Sequence, residues 1–179
     1  MLIKTLPVGQ LETNCYVVTD EDSLDCAVID PGDESGTILD YLEDNKLHCR
    51  AVLLTHAHWD HIGAVDAVCG HFGIPLYVHE ADAPKLTDSV QNVARQFGYD
   101  VTVSTRPLLL RGGETLSLAG MDIRVLHTPG HSAGSVCYLL PQGQGVLTGD
   151  TLFAHGYGRT DFADGSFHAL KESLRALFH

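Results

Sequence analysis

Short apolar or alternating segments, separated by Gly, Pro, Asn and Asp, dominate the chain, and this pattern is typical of strands. The segments predicted as strands are 2–8, 14–18, 26–30, 51–54, 74–78, 115–118, 121–128, 135–140 and 145–148. The dipeptide Ala119-Gly120 lies between two of them and predicts a tight hairpin. We therefore expect most of the chain to form sheets.

Other segments carry apolar residues at helical spacing, which predicts helices over 34–45, 63–72, 84–97 and 166–179. Asp33 is the predicted N-cap of the first helix. The predicted inward residues of the last two are Leu86, Val90, Val93 and Phe97, and Phe167, Leu170, Leu174 and Leu177. Because strands are interrupted or followed by helices in each half, we expect an α/β protein. It would be a single domain over residues 1–179, with two sheets face to face and helices outside.

Composition and charge narrow the class of protein. The chain has 44% apolar and 19% charged residues, which is the mixture of a globular domain. Its formal net charge of −12 argues against a nucleic-acid partner, because phosphate binding needs a basic face. No apolar run reaches the length of a membrane span, and the N-terminal residues do not resemble a signal peptide. Neither nucleic acid nor a membrane is an expected partner.

The cysteines are odd in number and widely spaced, without a C-x-x-C pair. They are Cys15, Cys26, Cys49, Cys69 and Cys137. Buried free thiols in a reducing compartment are the expectation for such a set. The sequence therefore predicts a cytoplasmic protein.

The densest chemistry lies in residues 55–61, T-H-A-H-W-D-H, directly after the apolar strand 51–54. His56 and His58 are two positions apart, so both imidazoles can point the same way in an extended turn. Asp60 and His61 are adjacent in the chain, so their side chains must point in different directions. Neutral imidazole and carboxylate are the ligands that zinc, iron and manganese accept. This loop predicts a metal site.

Two later apolar strands also end abruptly at ligand-type residues, one before His131 and the other before Asp150. The combined set suits two adjacent sites: His56, His58 and His131 in one, and Asp60, His61 and Asp150 in the other, with Asp150 as the bridge. Two cations there would lower the pKa of a shared water and polarise a carbonyl, which permits hydrolysis without a protein nucleophile. Gly130 and Gly149 are expected to let the backbone approach the crowded centre.

Three motifs carry a resemblance to a known family: H-A-H-W-D-H at 56–61, H-T-P-G-H-S-A-G-S at 127–135 and G-D-T-L-F at 149–153. The chain resembles the metallo-β-lactamase superfamily, and within it the single-domain glyoxalase II-like branch. The resemblance runs from Leu2 to the end of the chain and implies a four-layer αβ/βα sandwich with a dinuclear site at one edge. It implies the same two sets of ligands, and two divalent ions, with zinc expected and iron or manganese as alternatives. Asp60 would also position the water.

Members of this family normally continue into a further strand and a loop that supplies one more histidine ligand. The chain ends at 177–179 instead, so the expectation is a fold lacking that last strand and loop. Either the chain is truncated or the second metal site is weak. His179 would be a poor substitute for the missing histidine ligand, and His155 is a minor alternative to it.

Three residues near the predicted ligands are expected to support them. His127 lies four positions before His131 and is predicted to orient that loop or a ligand. Arg159 and Asp161 have opposite charges two positions apart in a glycine-rich loop. Their expected task is to brace the loop, and contact with substrate is the less favoured alternative.

Three functions remain open from the sequence. The first is a thioester hydrolase of the hydroxyacylglutathione hydrolase type, in which a metal-bound hydroxide attacks a small-molecule thioester, with glutathione as one candidate carrier. The second is a persulfide dioxygenase with one iron held by His56, His131 and Asp150. The third is a metal-binding protein with little activity, because its second site lacks a ligand. An aspartate at 150, where zinc β-lactamases of the commonest type use a cysteine, disfavours a β-lactam substrate. The oligomeric state stays open.

Overall fold

The computed structural model describes residues 1–178 as two sheets and three α-helices. The first sheet contains β1 Leu2–Val8, β2 Thr13–Thr19, β3 Asp25–Ile29, β4 His48–Leu53, β5 Leu76–His79 and β6 Pro107–Leu110, in that spatial order. The second contains β7 Thr115–Leu118, β8 Met121–His127, β9 Val136–Leu139 and β10 Val146–Leu147, in the reverse order β10-β9-β8-β7. The helices are α1 Ser35–Asp44, α2 Val65–Phe72 and α3 Phe167–Leu177.

The two sheets pack face to face around one apolar cluster. Ile29 and Leu53 of the first sheet share this cluster with Ile123, Val125 and Tyr138 of the second, and all five are buried. The opposite face of the first sheet packs against α1 and α2 in a separate cluster. The predicted arrangement of two sheets with helices outside is therefore confirmed.

The strands that lead to the predicted ligands end at one edge of this sandwich. The pairs β3–β4, β4–β5 and β5–β6 are parallel, so their carboxyl ends lie on the same side. The Val136 N–H donates to the Thr55 carbonyl at 2.8 Å and joins the second sheet to the first at this edge. On the same side α3 contacts the loop after β8, where Ser173 Oγ donates to the Pro129 carbonyl at 2.7 Å. Loops from both sheets consequently converge.

Local sequence signals specify several of these elements. Leu118 pairs with Met121 across the β7–β8 hairpin, and Ala119 and Gly120 both have positive φ, as a two-residue type I′ turn requires. The cysteines at positions 15, 26, 49, 69 and 137 are all free and buried, as predicted.

The predicted helix over 84–97 is wrong. The chain forms two short 3-10 helices there, Ala83–Thr87 and Ala94–Phe97. Between them the Asp88 carboxylate accepts the N–H groups of Val90 and Gln91, and the Asn92 side-chain amide donates to backbone carbonyls. Because these side chains satisfy backbone groups that a helix would use, the helix is interrupted. Val90 is consequently 67% exposed instead of inward-facing.

The other differences concern helix ends. Asp33 is not an N-cap: its carboxylate accepts the N–H of Glu34, which is itself the N-terminal boundary of α1 and has a left-handed conformation. In α3 only Leu170 of the predicted inward set is fully buried, and Phe167 is exposed.

No strand follows α3 within residues 1–178, and His179 lies outside the described residues. None of the helices described has the length and apolar composition needed to cross a bilayer.

Candidate metal centre

Three histidines from two loops meet at the edge of the sandwich. His56 and His58 follow β4, and His131 follows β8; each is at least 97% buried. Their ring centroids lie 4.7 to 4.8 Å apart, and His58 Nδ1 is 2.9 Å from His131 Nε2. One ligand atom from each lies within 4.8 Å of the others, which is the spacing of a metal site. The predicted three-histidine group is thus brought together.

The hydrogen bonds of these rings fit a bound cation. Thr55 Oγ1 lies 3.1 Å from His56 Nδ1, and the Arg159 carbonyl lies 2.8 Å from His131 Nδ1. The Nε2 atoms of His56 and His58 are buried and have no hydrogen-bond partner among residues 1–178. A buried polar atom without a partner is costly, so Nε2 of His56, whose Nδ1 lies beside Thr55, favours a group that accepts its lone pair. On His58 it is Nδ1 that faces His131 Nε2. Three imidazoles with adjacent carboxylates suit zinc, iron or manganese.

The second predicted group, Asp60, His61 and Asp150, lies directly beside the first. His61 Nε2 is 3.4 Å from Asp60 Oδ2 and 3.3 Å from Asp150 Oδ1. The other oxygen of Asp150, Oδ2, is 3.4 Å from His131 Nε2. Asp150 therefore presents one carboxylate oxygen to each group, as a bridging ligand would.

Burial keeps the three-histidine group neutral. It lowers the pKa of His56 well below its usual value, and the neighbouring histidines lower it further. The same two effects lower the pKa of His58 to about 2. Burial also lowers the pKa of His131, although Asp150 opposes this. Neutral imidazoles are the form that binds metal, so the pocket holds these residues ready for that role.

The second group is electrostatically different because it contains carboxylates. Burial lowers the pKa of His61, but Asp60, Asp30 and Asp150 outweigh it and raise the pKa well above its usual value. Burial raises the pKa of Asp150, but His61 and His131 outweigh it and lower the pKa to about 2. Asp150 is therefore ionised, and this half of the centre attracts positive charge.

Sequence reasoning assigned no role to Asp30, which the structure places in the centre. Asp30 follows β3 and is 99% buried, and its Oδ2 accepts a hydrogen bond from His61 Nδ1 at 2.9 Å. Its two oxygens also accept from the N–H and hydroxyl of Thr55. The bond to Nδ1 leaves Nε2 of His61 facing Asp60 and Asp150, so Asp30 sets the tautomer. The signal available in the sequence was that Asp30 directly follows a short apolar run, as the predicted ligands do.

We expect Asp30→Asn to lower metal affinity by about 10- to 100-fold, which is the typical cost of losing a group that orients a metal-binding histidine. The amide keeps the shape of the side chain, but it has one acceptor oxygen in place of two and cannot accept all three hydrogen bonds from Thr55 and His61. Titration of the metal-free variant with Zn²⁺ in the presence of a competing chelator measures the change. Affinity equal to that of the wild-type protein would show that Asp30 does not orient His61.

Asp82 is a second residue that sequence reasoning missed. It follows β5, is fully buried and accepts hydrogen bonds from the N–H groups of Ala57 and Gly134 at 2.9 and 2.8 Å. Ser132 Oγ and Lys85 Nζ also donate to it, at 2.9 and 3.0 Å. Asp82 thereby ties the loop with His56 and His58 to the loop with His131.

The two glycines predicted to crowd the centre contact other parts of the chain. A Cβ on Gly130 would collide with the backbone of Leu170 in α3, and one on Gly149 with the Thr55 side chain. Gly158 is the glycine that packs on the ligands, since a Cβ there would meet the Asp150 carbonyl and lie 2.8 Å from His131 Nδ1. The need for glycine at Gly130 and Gly149 comes from packing and positive φ.

The three predicted supporting residues lie around the centre at different distances. His127 stacks on His79, and its Nε2 lies 2.9 Å from the Ala133 carbonyl, in the loop that carries His131. Arg159 and Asp161 pair through two contacts of 2.6 Å, as expected for a braced loop. The backbone carbonyl of Arg159 is the group that contacts the candidate ligand His131. Asp161 contacts the Arg159 side chain and none of the candidate ligands.

Two cavities open on the centre. The larger, about 520 Å³, is bordered by Asp30, Asp60, His61 and Asp150 together with polar residues of β2. The smaller, about 270 Å³, reaches His58 and His131 and shares Asp60 and Asp150 with the larger one. A small molecule therefore has access to both halves.

A family model described as the metallo-beta-lactamase superfamily matches residues 8–178. The chain belongs to the metallo-beta-lactamase superfamily. The two sheets, the convergent loops and the resemblance in the three sequence motifs all agree with this membership, and the metallo-beta-lactamase fold is confirmed. Members of this superfamily bind divalent metals and are largely hydrolytic enzymes.

Relatives within the superfamily cover almost the whole chain. A probable metallo-hydrolase, YqgX from Bacillus subtilis, is 37% identical over 96% of this chain and 81% of its own length. Hydroxyacylglutathione hydrolase GloC from Haemophilus influenzae is 33% identical over 98% of this chain and 83% of its own length.

Two crystal structures extend the comparison. BLEG-1, a B3 metallo-beta-lactamase, has a TM-score of 0.93 and 37% identity, and covers 97% of this chain and 84% of its own. TTHA1623 in a di-iron-bound form has a TM-score of 0.80 and 35% identity, and covers 99% of this chain and 85% of its own. The superfamily fold thus accommodates two metal ions in a protein similar to this one.

Proposed function

We propose that the protein is a metal-dependent hydrolase of small-molecule thioesters, of the hydroxyacylglutathione hydrolase type. The observation that carries the proposal is Asp150, whose two oxygens lie 3.3 Å from His61 Nε2 and 3.4 Å from His131 Nε2. A carboxylate between two groups of ligands suits a pair of cations better than one. The similarity to GloC supports a thioester as the substrate class.

The residues divide into two sets of ligands. His56, His58 and His131 would hold one cation and Asp60 and His61 the other, with Asp150 between them. When bound, two such cations lower the pKa of a water and polarise a carbonyl.

Asp60 has a further task in positioning the water. Thr13 Oγ1 donates to Asp60 Oδ2 at 2.8 Å and fixes the carboxylate. The same oxygen lies 3.4 Å from His61 Nε2, so the carboxylate is held at the centre, where it would orient the water through a hydrogen bond. Because His56, His58 and His131 are buried, water and substrate would reach them through the two cavities.

Removal and return of metal tests this proposal. We expect about two zinc, iron or manganese ions per chain by elemental analysis, and hydrolysis of S-lactoylglutathione that a chelator abolishes and added divalent metal restores. Loss of activity should exceed about 100-fold, because the five cysteines are buried, so no thiol nucleophile is expected to replace the metal. Metal-loaded protein that binds two ions but leaves the thioester intact would contradict a thioesterase and favour a metal-binding protein of low activity.

The persulfide dioxygenase alternative makes the opposite prediction for metal content. It requires one iron per chain, held by His56, His131 and Asp150, and oxygen uptake with glutathione persulfide. Replacement of His61 separates the two, because His61 belongs only to the two-metal arrangement. Full activity of His61→Ala would favour the one-iron reaction.

A second candidate function is β-lactam hydrolysis. The specific observation that favours it is the similarity to BLEG-1, with 37% identity and a TM-score of 0.93. Turnover of a chromogenic cephalosporin by the metal-loaded protein tests it beside S-lactoylglutathione. The larger kcat/KM decides between the two substrates.

A further inference from the structure

The smaller cavity at the centre has an apolar wall. Beyond the candidate ligands, the residues that form this wall are Leu11, Trp59, Val93, Phe97, Phe153 and Phe162. Phe162 lies edge-on to His58 and His131, with ring centroids 4.8 and 5.6 Å away. The ring centroids of Trp59 and Phe97 are 5.6 Å apart. Aromatic rings therefore surround the position next to the candidate ligands.

The charged side chains around this wall are already paired. Arg159 is the one lysine or arginine among the described residues that line the cavity, and both of its contacts with Asp161 are 2.6 Å. Nearby Arg95 pairs with Asp100, and Lys85 is buried between Asp82 and Asp164. Among the described residues that line the cavity, no lysine or arginine is unpaired, so none is dedicated to the carboxylates of a peptide-like thiol carrier. The apolar end of a substrate is the better match.

We propose that this cavity binds an aromatic acyl group, so that the enzyme prefers thioesters of aromatic 2-hydroxy acids to those of small aliphatic ones. The proposal rests on the thioesterase function proposed above. The cavity of about 270 Å³ has room for a ring-sized acyl group, and it is smaller than the roughly 300–1,000 Å³ typical of sites that hold a whole drug-sized ligand. Edge-on and offset contacts with Phe162, Phe97 and Trp59 favour an aromatic ring over an alkyl chain of similar size.

Two substrates with the same carrier test the preference. S-Mandeloylglutathione and S-lactoylglutathione are both 2-hydroxyacyl thioesters and differ by a phenyl in place of a methyl group. We expect kcat/KM of the metal-loaded enzyme to be about tenfold higher for the mandeloyl ester. Phe97→Ala should reduce the ratio of the two kcat/KM values at least threefold. Phe97 is 46% exposed, so its removal spares the core.

Val90→Ala is the matched control. Val90 belongs to the same segment, is 67% exposed and does not line this cavity, so its replacement should leave the ratio unchanged. A wild-type ratio of one or less, or the same ratio in Phe97→Ala, would overturn the acyl-group preference while leaving the thioesterase function intact. If neither ester is hydrolysed, the thioesterase function itself fails.

A binding measurement keeps the two failures separate. Trp59 is the only tryptophan of the chain and lines the cavity, so its fluorescence reports occupation without turnover. We expect mandelate to change the emission of the metal-loaded protein at concentrations at least fivefold below those needed for lactate. Equal responses to the two acids would refute an aromatic pocket whether or not the protein is an esterase.

Discussion

Asp150→Ala is expected to lower thioester hydrolysis by at least about 1,000-fold and to reduce bound metal from about two ions per chain to one or fewer. The reason is that both oxygens of Asp150 face candidate ligands, one toward His61 and the other toward His131. Its removal takes a negative charge from both halves of the centre and leaves His61 without one of the carboxylates that hold it. Elemental analysis and kcat/KM measured on the same preparations test the two effects together.

Asp122→Ala is the control for this variant. Asp122 is exposed near the start of β8 and bonds to Ser117, so its replacement makes the same change in net charge away from the edge that carries the centre. It should retain metal and activity. An Asp150→Ala protein that still bound two ions would show that Asp150 does not bridge them.

Asp82→Ala is expected to destabilise the fold by about 3–5 kcal/mol. Such a loss is typical when one partner of a buried ion pair is removed, because Lys85 stays buried with Asp164 as its remaining partner. The N–H groups of Ala57 and Gly134 would also lose their acceptor. For a chain of this size the loss corresponds to a fall in Tm of roughly 6–20 °C. Thermal unfolding with and without metal measures it.

The loss of Asp82 should also disturb the candidate metal centre, because Asp82 joins the two loops that carry the three histidines. We expect weaker metal binding in Asp82→Ala at temperatures where the protein is still folded. Asp40→Ala, an exposed change on α1, should leave both Tm and metal binding as they are in the wild-type protein. A normal Tm for Asp82→Ala would show that its hydrogen bonds do not stabilise the loops.

The candidate ligands could be predicted because they lie close together in sequence or follow recognisable strands. His56, His58, Asp60 and His61 occupy one short loop after an apolar run. Parallel strands place such loops at one edge, so local pattern and sheet geometry lead to the same location. The architecture of two sheets followed from the alternation of strands and helices in the same way.

The segment 84–97 shows where this reasoning fails. Its apolar residues recur at helical spacing, yet Asp88 and Asn92 bind backbone groups and break the helix into two short turns. Periodicity reports where apolar side chains recur, and it does not report which polar side chains compete for the backbone. As a result Phe97, which a helix would have turned inward, lines the cavity beside the candidate metal centre.

Short motifs and local periodicity were enough to predict the superfamily, the described strands other than β6, and the histidines and aspartates that converge. How those residues are held became visible in the folded protein. Asp30 selects the nitrogen of His61 that faces the centre, and Asp82 fastens loops that are 50 or more residues apart in sequence. Contacts of this kind join distant segments through burial and hydrogen bonds, and no spacing along the chain records them. The same holds for the aromatic cavity, whose walls come from loops that meet only in the folded protein.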